Sequence, residues 1–395
     1  MSSAFFLSFF IYEAYFHISF PILDTLFAVI GLLFILNQKK EINFWSGFFI
    51  GIFWFYWIAL SFRYYDLSYM VPFVIVLVGF IYAIIFTLIS YPSNPFLRAL
   101  LLLFLSYLHP FHFSWLKPEL IFINSYLGVK KWQFSIILFA LSLASYLYKK
   151  DKKLLALLSL SFIIFAADLS HKKKSECFQD IALVDQKIPQ DIKWDPRYKE
   201  QIIQKDLFSI KKAIKDKNKM VILSESAFPI YLNKDEELLK ILKKLSKKIV
   251  IIAGALRYTK NGYYNSTYYF INGKVKIADK VVLVPFGEEI PLPKFLKDLI
   301  NRLFFDGAED FKTAKHPTII KIEGKTFTNA ICYEATEDII YKNHPRYIIA
   351  ISNNAWFTPS IEPTLQYLLL KYYAKIYHTI IIHSANMGIS GIITQ

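Results

Sequence analysis

The sequence predicts a multi-pass α-helical transmembrane bundle followed by an α/β domain, and three observations predict it. Long apolar runs crowd residues 1–170, short β-branched runs alternate with charged amphipathic stretches from Asp180 onward, and the 395-residue chain is 55% hydrophobic and 18% aromatic against only 19% charged. A chain this rich in Phe and Tyr needs lipid-facing surface on which to place them. The same composition excludes a disordered chain, a collagen-like chain and a small disulfide scaffold. The expected organisation is a transmembrane helical domain over 1–170, a linker over 171–179 and an α/β domain over 180–395.

Seven stretches approach the roughly 20 apolar residues that cross a bilayer: 3–20, 21–36, 44–62, 69–91, 96–111, 134–148 and 154–169. The first two are parted only at Ile18-Ser19-Phe20-Pro21, so the count is six or seven. The first run lacks a basic n-region and an A-x-A site and is read as a retained helix. Lys39-Lys40 and the basic run 149–153 fall on one side if every stretch crosses, which places the N-terminus in the cytoplasm and the C-terminal half on the outer face. Lys130-Lys131 and the run 171–174 argue the other way and are outweighed. Glu13 and His17 are read as a pair facing the bundle interior or lying near the interface, with a site as the alternative. Trp54, Trp57, Arg63, Tyr64 and Tyr65 read as an aromatic belt at the outer end of the third helix, and 111–128 as a semi-polar segment on the membrane surface.

The net charge of +15 comes from lysines that are scattered or flank apolar runs, a pattern that sets topology, so no nucleic-acid partner is expected. The two cysteines, Cys177 and Cys332, are read as two thiols rather than one disulfide.

In the second half, strands are expected over 180–185, 220–225, 249–255, 265–271, 274–279, 318–324, 327–332, 347–353 and 379–386. Helices are expected over 196–214, 234–245, 294–303, 334–341 and 363–377. Continuous apolar strands alternating with helices imply a sheet covered on at least one face, with its chemistry at the C-terminal strand ends. Glu225, Lys280 and Cys332 each follow such a strand. Singly, each has an ordinary reading as a cap, a solvated lysine or a small core residue. Together they suit acyl transfer without histidine. A carboxylate of raised pKa takes the thiol proton and returns it to the leaving group, and an ammonium holds the tetrahedral oxyanion while favouring the thiolate.

ESAFP at 225–229, DKVVLVPFGEEIP at 279–291 and ICYE at 331–334 resemble the Glu-Lys-Cys motifs of the nitrilase superfamily. More narrowly, IALVDQKIPQDIKWDP at 181–196, LVPFGE, ICYE and ISNNAWF at 351–357, behind a polytopic region containing GFFIGIFWFYWIALSFRY, are similar to the apolipoprotein N-acyltransferase family. The resemblance implies an α-β-β-α sandwich on the membrane bundle. It implies Glu225 as general base, Lys280 as oxyanion stabiliser and Cys332 as nucleophile, with Glu288, Tyr333 and Glu334 in support and Trp194, Asn353 and Trp356 as substrate-binding candidates. Phe228, Phe286 and Ile290 are read as core, with a lipid-contacting lid as the alternative. The implied reaction is ping-pong: an acyl chain passes from a membrane phospholipid to Cys332, then to the N-terminal amine of a diacylglyceryl-cysteine apolipoprotein. It needs no metal or organic cofactor, and the implied location is a bacterial inner membrane with the catalytic domain facing the periplasm. The alternatives are a membrane-tethered amidase or nitrilase that hydrolyses a small amide, and a non-catalytic scaffold. Asp185, Asn354, Thr358 and His383 depart from the family pattern, and the family continues beyond ANMGISGIITQ, so a C-terminally truncated sandwich is expected.

Overall fold

The computed structural model describes residues 1–109, 113–169, 178–285, 287–288 and 311–394. It divides into two compact units, Met1–His171 with Pro359–Tyr372, and Lys172–Thr358 with Tyr373–Gln395. The expected helix over 294–303, together with Cys177, Phe286 and Ile290, lies outside the described residues.

In the first unit each of the seven apolar stretches carries a helix: α1 Ser2–Tyr15, α2 Pro21–Asn37, α3 Lys40–Phe55, α4 Val71–Ser90, α5 Pro95–Leu105, α6 Lys131–Lys149 and α7 Lys153–Ser159. A left-handed His17 at φ 57° ends the first, and Pro21, which has no amide hydrogen to lose, opens the second. The Glu13 carboxylate accepts the Phe20 amide across this break. α3 continues as a 3-10 helix to Tyr65, so that Lys40–Tyr65 and Ser68–Ser90 are each long and apolar enough to cross a membrane, while Pro21–Asn37, Pro95–Leu105 and Lys153–Ala166 are shorter apolar helices. Along α4, Phe73, Leu77, Phe80, Ile84 and Leu88 are exposed at helical spacing, whereas Tyr82, Ala83, Phe86 and Ile89 are buried. A helix apolar on both faces is one that meets lipid outside and protein inside.

Two expectations are corrected in this unit. Trp54 and Trp57 are core residues, not a belt: their indole N–H groups donate inside the protein, to Ser8 Oγ at 3.1 Å and to the Trp54 carbonyl at 2.7 Å. The stretch 113–128 is internal rather than superficial. Trp115, Leu116 and Leu120 are buried, as is Glu119, whose carboxylate accepts Ser106 Oγ at 2.7 Å and the Tyr372 hydroxyl at 2.8 Å. A buried carboxylate must be satisfied by such donors, which is why this segment sits where they are.

Arg98 fastens the helix ends. Its guanidinium, 7% exposed, donates to the carbonyls of Pro92 at 2.6 Å, Leu36 at 3.2 Å, Gln38 at 2.5 Å and Ser90 at 2.8 Å. These are the orphan carbonyls of α2 and α4, so one cation answers two helix C-termini. Asn43 adds donations to the Ile35 carbonyl at 2.8 Å and to Ser90 Oγ at 2.5 Å.

The second unit holds two sheets. The first runs β1-β2-β4-β5-β6, with β3 also on β4: β1 Ile181–Leu183, β2 Met220–Ile222, β3 Phe228–Tyr231, β4 Val250–Thr259, β5 Gly262–Ile271 and β6 Lys274–Asp279. The second runs β11-β10-β9-β8-β7: β7 Ile319–Ile322, β8 Lys325–Ile331, β9 Tyr347–Asn353, β10 Ile380–Asn386 and β11 Gly391–Ile393. β1, β2 and β4 are parallel, as are β8, β9 and β10, while the outer pairs β4–β5–β6, β7–β8 and β10–β11 are antiparallel.

Strand alternation builds two cores. Val221, Leu223, Ile251 and Ala253 pack against Ile203, Leu207 and Ile210 of the helix Lys199–Lys215 and against Leu238 and Leu242 of Glu236–Leu245. Met220, Ile222, Val250 and Ile252, one residue out of phase, meet Ile331, Ile349, Ile351 and Ile382 of the second sheet. Phe228 belongs to the helix-side core, which removes it from any lid. Tyr269 donates to Asn329 Oδ1 at 2.8 Å between the sheets, and Ser384 Oγ donates to the Ile222 carbonyl at 3.0 Å. This face-to-face stacking brings the C-terminal ends of β2, β8, β9 and β10 into one unit.

Arg98→Met should lower the unfolding temperature of the detergent-solubilised protein by roughly 5–10 °C, since charge-assisted hydrogen bonds contribute about 1.5–3 kcal/mol each and their carbonyls would be left buried. An unchanged transition measured by tryptophan fluorescence would assign the helix junction to apolar packing alone.

Candidate active site

Glu225 stands three residues beyond β2, 6% exposed, and the chain turns immediately after it because Ser226 adopts φ 49°. Such left-handed conformations in non-glycine residues persist only where the surroundings impose them. Gly254 of β4 lies against this turn: a Cβ there would fall 2.5 Å from the Ser226 nitrogen and 2.7 Å from Glu225 Cα. The missing side chain therefore allows the strand to approach the backbone that carries the carboxylate.

Lys280 follows β6 and is fully buried. Its ammonium donates to Glu288 Oε2 at 2.6 Å and lies 3.9 Å from Glu225 Oε1. Asn265, at the start of the buried part of β5, joins the two acids by donating from Nδ2 to Glu225 Oε1 at 2.7 Å and to Glu288 Oε1 at 3.0 Å. The Val284 amide also donates to Glu288, at 2.9 Å. Burial alone pushes the Lys280 ammonium down, yet the charges of Glu288, Glu225 and Cys332 and the Glu288 hydrogen bond outweigh it and hold the group above lysine's ordinary range. Burial pushes the Glu225 carboxyl up and Glu288 adds to this, against Lys280, the Asn265 hydrogen bond and Lys193. The result is a charged lysine beside a carboxylate of raised proton affinity, the pairing that a base working near neutrality requires.

Cys332 begins a 3-10 turn, Cys332–Thr336, at the end of β8, and its own φ is 55°. The half-buried thiol is electrostatically coupled to Lys280. Glu334, 1% exposed, ties the two loops together: its carboxylate accepts the Val281 and Val282 amides at 2.7 and 3.1 Å and the Ile331 amide at 2.7 Å. The residues after the lysine and the residue before the cysteine thus share one acceptor. Burial pushes the Glu334 carboxyl up to about 7 in spite of Lys280 and those three amides.

Of the remaining candidates, Tyr333 follows Cys332 in the same turn, and the others stand at other strand and helix ends of the unit. Asn353 donates to Gln190 Oε1 at 2.8 Å and accepts from Asn386 Nδ2 at 2.8 Å, a polar ladder across the ends of β9 and β10. Trp194 is 40% exposed after the short helix Gln190–Lys193, Trp356 is half-buried in the turn Asn354–Trp356, and Tyr333 is buried. Of the departures from the family pattern, Asp185 accepts the Lys187 and Met387 amides at 3.2 and 3.3 Å, and the buried glutamine is its neighbour Gln186. His383 is fully enclosed. Burial pushes it down to about 4, and because the Ile389 carbonyl at 2.9 Å can only accept, Nδ1 carries the proton and Nε2 faces Ser352 Oγ at 2.8 Å. Among the described residues no group of three or more His, Cys, Asp or Glu side chains is placed to hold a metal ion.

Sequence reasoning missed Asn265 and a buried set formed by Gln186, Lys193, Asp206 and Ser224. Asp206 carried a signal, for it interrupts the apolar face Ile202, Ile203, Leu207, Ile210 at helical spacing. Lys193 carried none, because a lysine in a turn reads as solvated.

The fold joins a unit of apolar helices to an αβ unit of two stacked sheets, and the site in the second is a buried carboxylate–ammonium cluster beside a cysteine. Residues 1–166 match the apolipoprotein N-acyltransferase integral membrane domain. The apolipoprotein N-acyltransferase of Wolinella succinogenes is 44% identical over 98% of this chain and 93% of that protein. That of Helicobacter pylori is 40% identical over 94% of this chain and 88% of that protein. A solved CN-hydrolase superfamily protein from Xanthomonas campestris aligns with a TM-score of 0.40 at 14% identity, over 53% of this chain and 77% of that one. The chain belongs to the apolipoprotein N-acyltransferase family.

Gly254→Ala should cost about 1–3 kcal/mol through overpacking against the Glu225 turn. Thermal unfolding beside the wild type checks this, and an unchanged transition would show that the turn yields to the added methyl group.

Proposed function

We propose that this chain transfers an acyl group from a membrane phospholipid, through a Cys332 thioester, to the N-terminal amine of diacylglyceryl-cysteine apolipoproteins. The observation that carries the reading is the fully buried Lys280 ammonium held 2.6 Å from Glu288 and 3.9 Å from Glu225, with its charge coupled to Cys332. Family membership supports the substrate class.

In the first half-reaction Glu225 takes the Sγ proton and the thiolate attacks the ester carbonyl carbon. A C–S bond forms as the carbonyl π pair moves to oxygen, where the Lys280 ammonium stabilises the negative charge. Collapse breaks the ester C–O bond, and Glu225 returns the proton to the departing alkoxide, which leaves as lysophospholipid. In the second half the lipoprotein amine attacks the thioester and gives a proton to Glu225. The C–S bond breaks, an amide remains, and the thiolate recovers its proton. Glu288 holds Lys280 in place, while Glu334 keeps the lysine loop and the cysteine turn in register. Trp194, Asn353 and Trp356 are proposed to contact substrate.

The catalytic domain is proposed to occupy 180–395 beyond a membrane domain over 1–170 and to face the periplasm of an inner membrane. The basic runs Lys39-Lys40 and 149–153 support this orientation, because Asn37 at the end of α2 donates to Ser145 Oγ near the end of α6 at 2.7 Å, which sets both runs at one end of the bundle.

Incubation of the purified chain with phosphatidylethanolamine should add one acyl mass by intact mass spectrometry, removed by neutral hydroxylamine and absent in Cys332→Ala. Glu225→Gln should slow its appearance by on the order of 10²–10⁴. Consumption of the adduct by a diacylglyceryl-cysteine peptide establishes transfer, whereas release of free fatty acid alone establishes a hydrolase. A folded chain that forms no adduct refutes the thioester.

A further inference from the structure

A second buried charged cluster holds Glu225 from its main chain, and the acyl-transfer chemistry does not use it. Lys193, fully buried at the end of the helix Gln190–Lys193, donates from Nζ to the Glu225 carbonyl at 2.9 Å and reaches Gln186 Oε1 at 3.5 Å. Gln186 donates from Nε2 to Asp206 Oδ2 at 2.6 Å, and its Oε1 accepts the hydroxyl of Ser224, the residue before the base. Asp206 is fully buried on the helix Lys199–Lys215, and its Oδ1 has no hydrogen-bond partner among the described residues. Lys205 of the same helix donates to the Gln186 carbonyl at 2.6 Å.

Burying a lysine and an aspartate costs several kcal/mol per ion, and apolar residues of similar volume frequently serve stability as well or better. A pair retained at this place therefore calls for a role beyond holding the fold. The groups it converges on are Ser224 and Glu225, and the second of these has its carboxylate on Asn265 and close to Lys280.

We propose that Lys193, anchored through Gln186 to Asp206, is a positioning residue for Glu225: it clamps the carbonyl of that residue and supplies its carboxylate with a second positive charge beside Lys280. The inference rests on the reading of Glu225 as the base. The charged groups that face Lys193 are Asp206 and Glu225, Asp206 faces Lys193 and Lys205, and Glu225 faces Lys280, Glu288 and Lys193. Burial pushes Lys193 down to about 8 against the pull of Asp206 and Glu225. Burial likewise pushes Asp206 up to about 7 against the Gln186 hydrogen bond, Lys193 and Lys205. The cluster thus keeps its charges only by mutual support. Removing the Lys193 cation leaves Glu225 with less opposition to the burial that raises its proton affinity, so the acidic limb of the acylation profile must move to higher pH.

The test measures single-turnover thioester formation on the full chain with phosphatidylethanolamine vesicles, from about pH 5 to about pH 9, beside thermal unfolding. The variants are Lys193→Met and Lys193→Met/Asp206→Asn. Lys193→Met should slow acylation roughly tenfold at neutral pH and shift the acidic limb upward by about one unit, a tenfold change in the ionised fraction. The double variant, which also removes the buried negative charge left behind, should recover unfolding temperature while the limb stays shifted. An unmoved limb with rates that follow the folded fraction overturns the proposal, as does a double variant that regains the wild-type rate. Failure of both variants to fold also overturns it, by assigning the pair to folding. Glu225→Gln in the same assay separates the two levels: a wild-type rate there refutes the base itself, whereas a lost adduct there with a wild-type Lys193→Met profile refutes only the positioning role.

Discussion

The strand ends and loops of the second unit's polar site are arranged around one ammonium group kept out of water. Lys280 is fully buried, and a buried lysine stays charged only where fixed negative charge outweighs desolvation. Here Glu288 supplies it at 2.6 Å and Glu225 at 3.9 Å. That requirement fixes the rest: β5 must present Asn265 between the two acids, β6 must end where Lys280 can enter, and the cysteine turn must come close enough to share the charge. Glu334 meets the last demand by accepting amides from both loops with one carboxylate. Loop positions are thereby set by hydrogen-bond satisfaction rather than by the loops' own rigidity.

The same constraint explains why two sheets are needed. A parallel sheet delivers polar residues to its C-terminal edge, yet one sheet alone carries Glu225 and Lys280 without Cys332. Stacking through Met220, Ile222, Ile331, Ile349 and Ile351 brings the end of β8 into the unit that holds the ends of β2 and β6. The inter-sheet core is therefore part of the geometry of the site, because a strand shifted by one residue exchanges its core faces and carries its terminal side chain with it. The first unit obeys a related rule in an apolar setting: Arg98 and Asn43 satisfy helix-end carbonyls that lipid cannot, and Glu119 draws the 113–128 segment inward to reach its donors.

Much was legible beforehand. The seven apolar stretches are helices, and the expected strands over 249–255 and 265–271 are there, lengthened into the β4–β5 hairpin that pairs Thr259 with Gly262. The strand over 220–225 is shorter than expected, at Met220–Ile222, although the Leu223 amide still donates to the Ile252 carbonyl at 2.8 Å and the Ser224 carbonyl accepts the Gly254 amide at 3.2 Å before the Glu225 turn. Lys280 stands 2.6 Å from Glu288 and 3.9 Å from Glu225, with its charge coupled to Cys332. The illegible residues share a trait, which is that their partners are remote in sequence. Asn265 is 40 residues from Glu225, and Lys193 is 32 residues from the carbonyl it holds. Trp54 was misread for the same reason, its indole donating to Ser8 46 residues away, and Trp57 because aromatic residues at a helix end look alike whether they face lipid or a neighbouring helix.

The sequence by itself determined the two-part organisation, the type of nearly every described element and the three residues that carry the proposed chemistry. Apolar periodicity is a local record of which faces are buried, and strand-end motifs are local too. Only the tertiary structure decided which polar groups stand together, which cation is buried beside which acid and which lysine holds the Glu225 carbonyl. Those pairings arise from strand order, register and sheet stacking. A buried polar group is defined by the partner that meets it, and no window of sequence contains both.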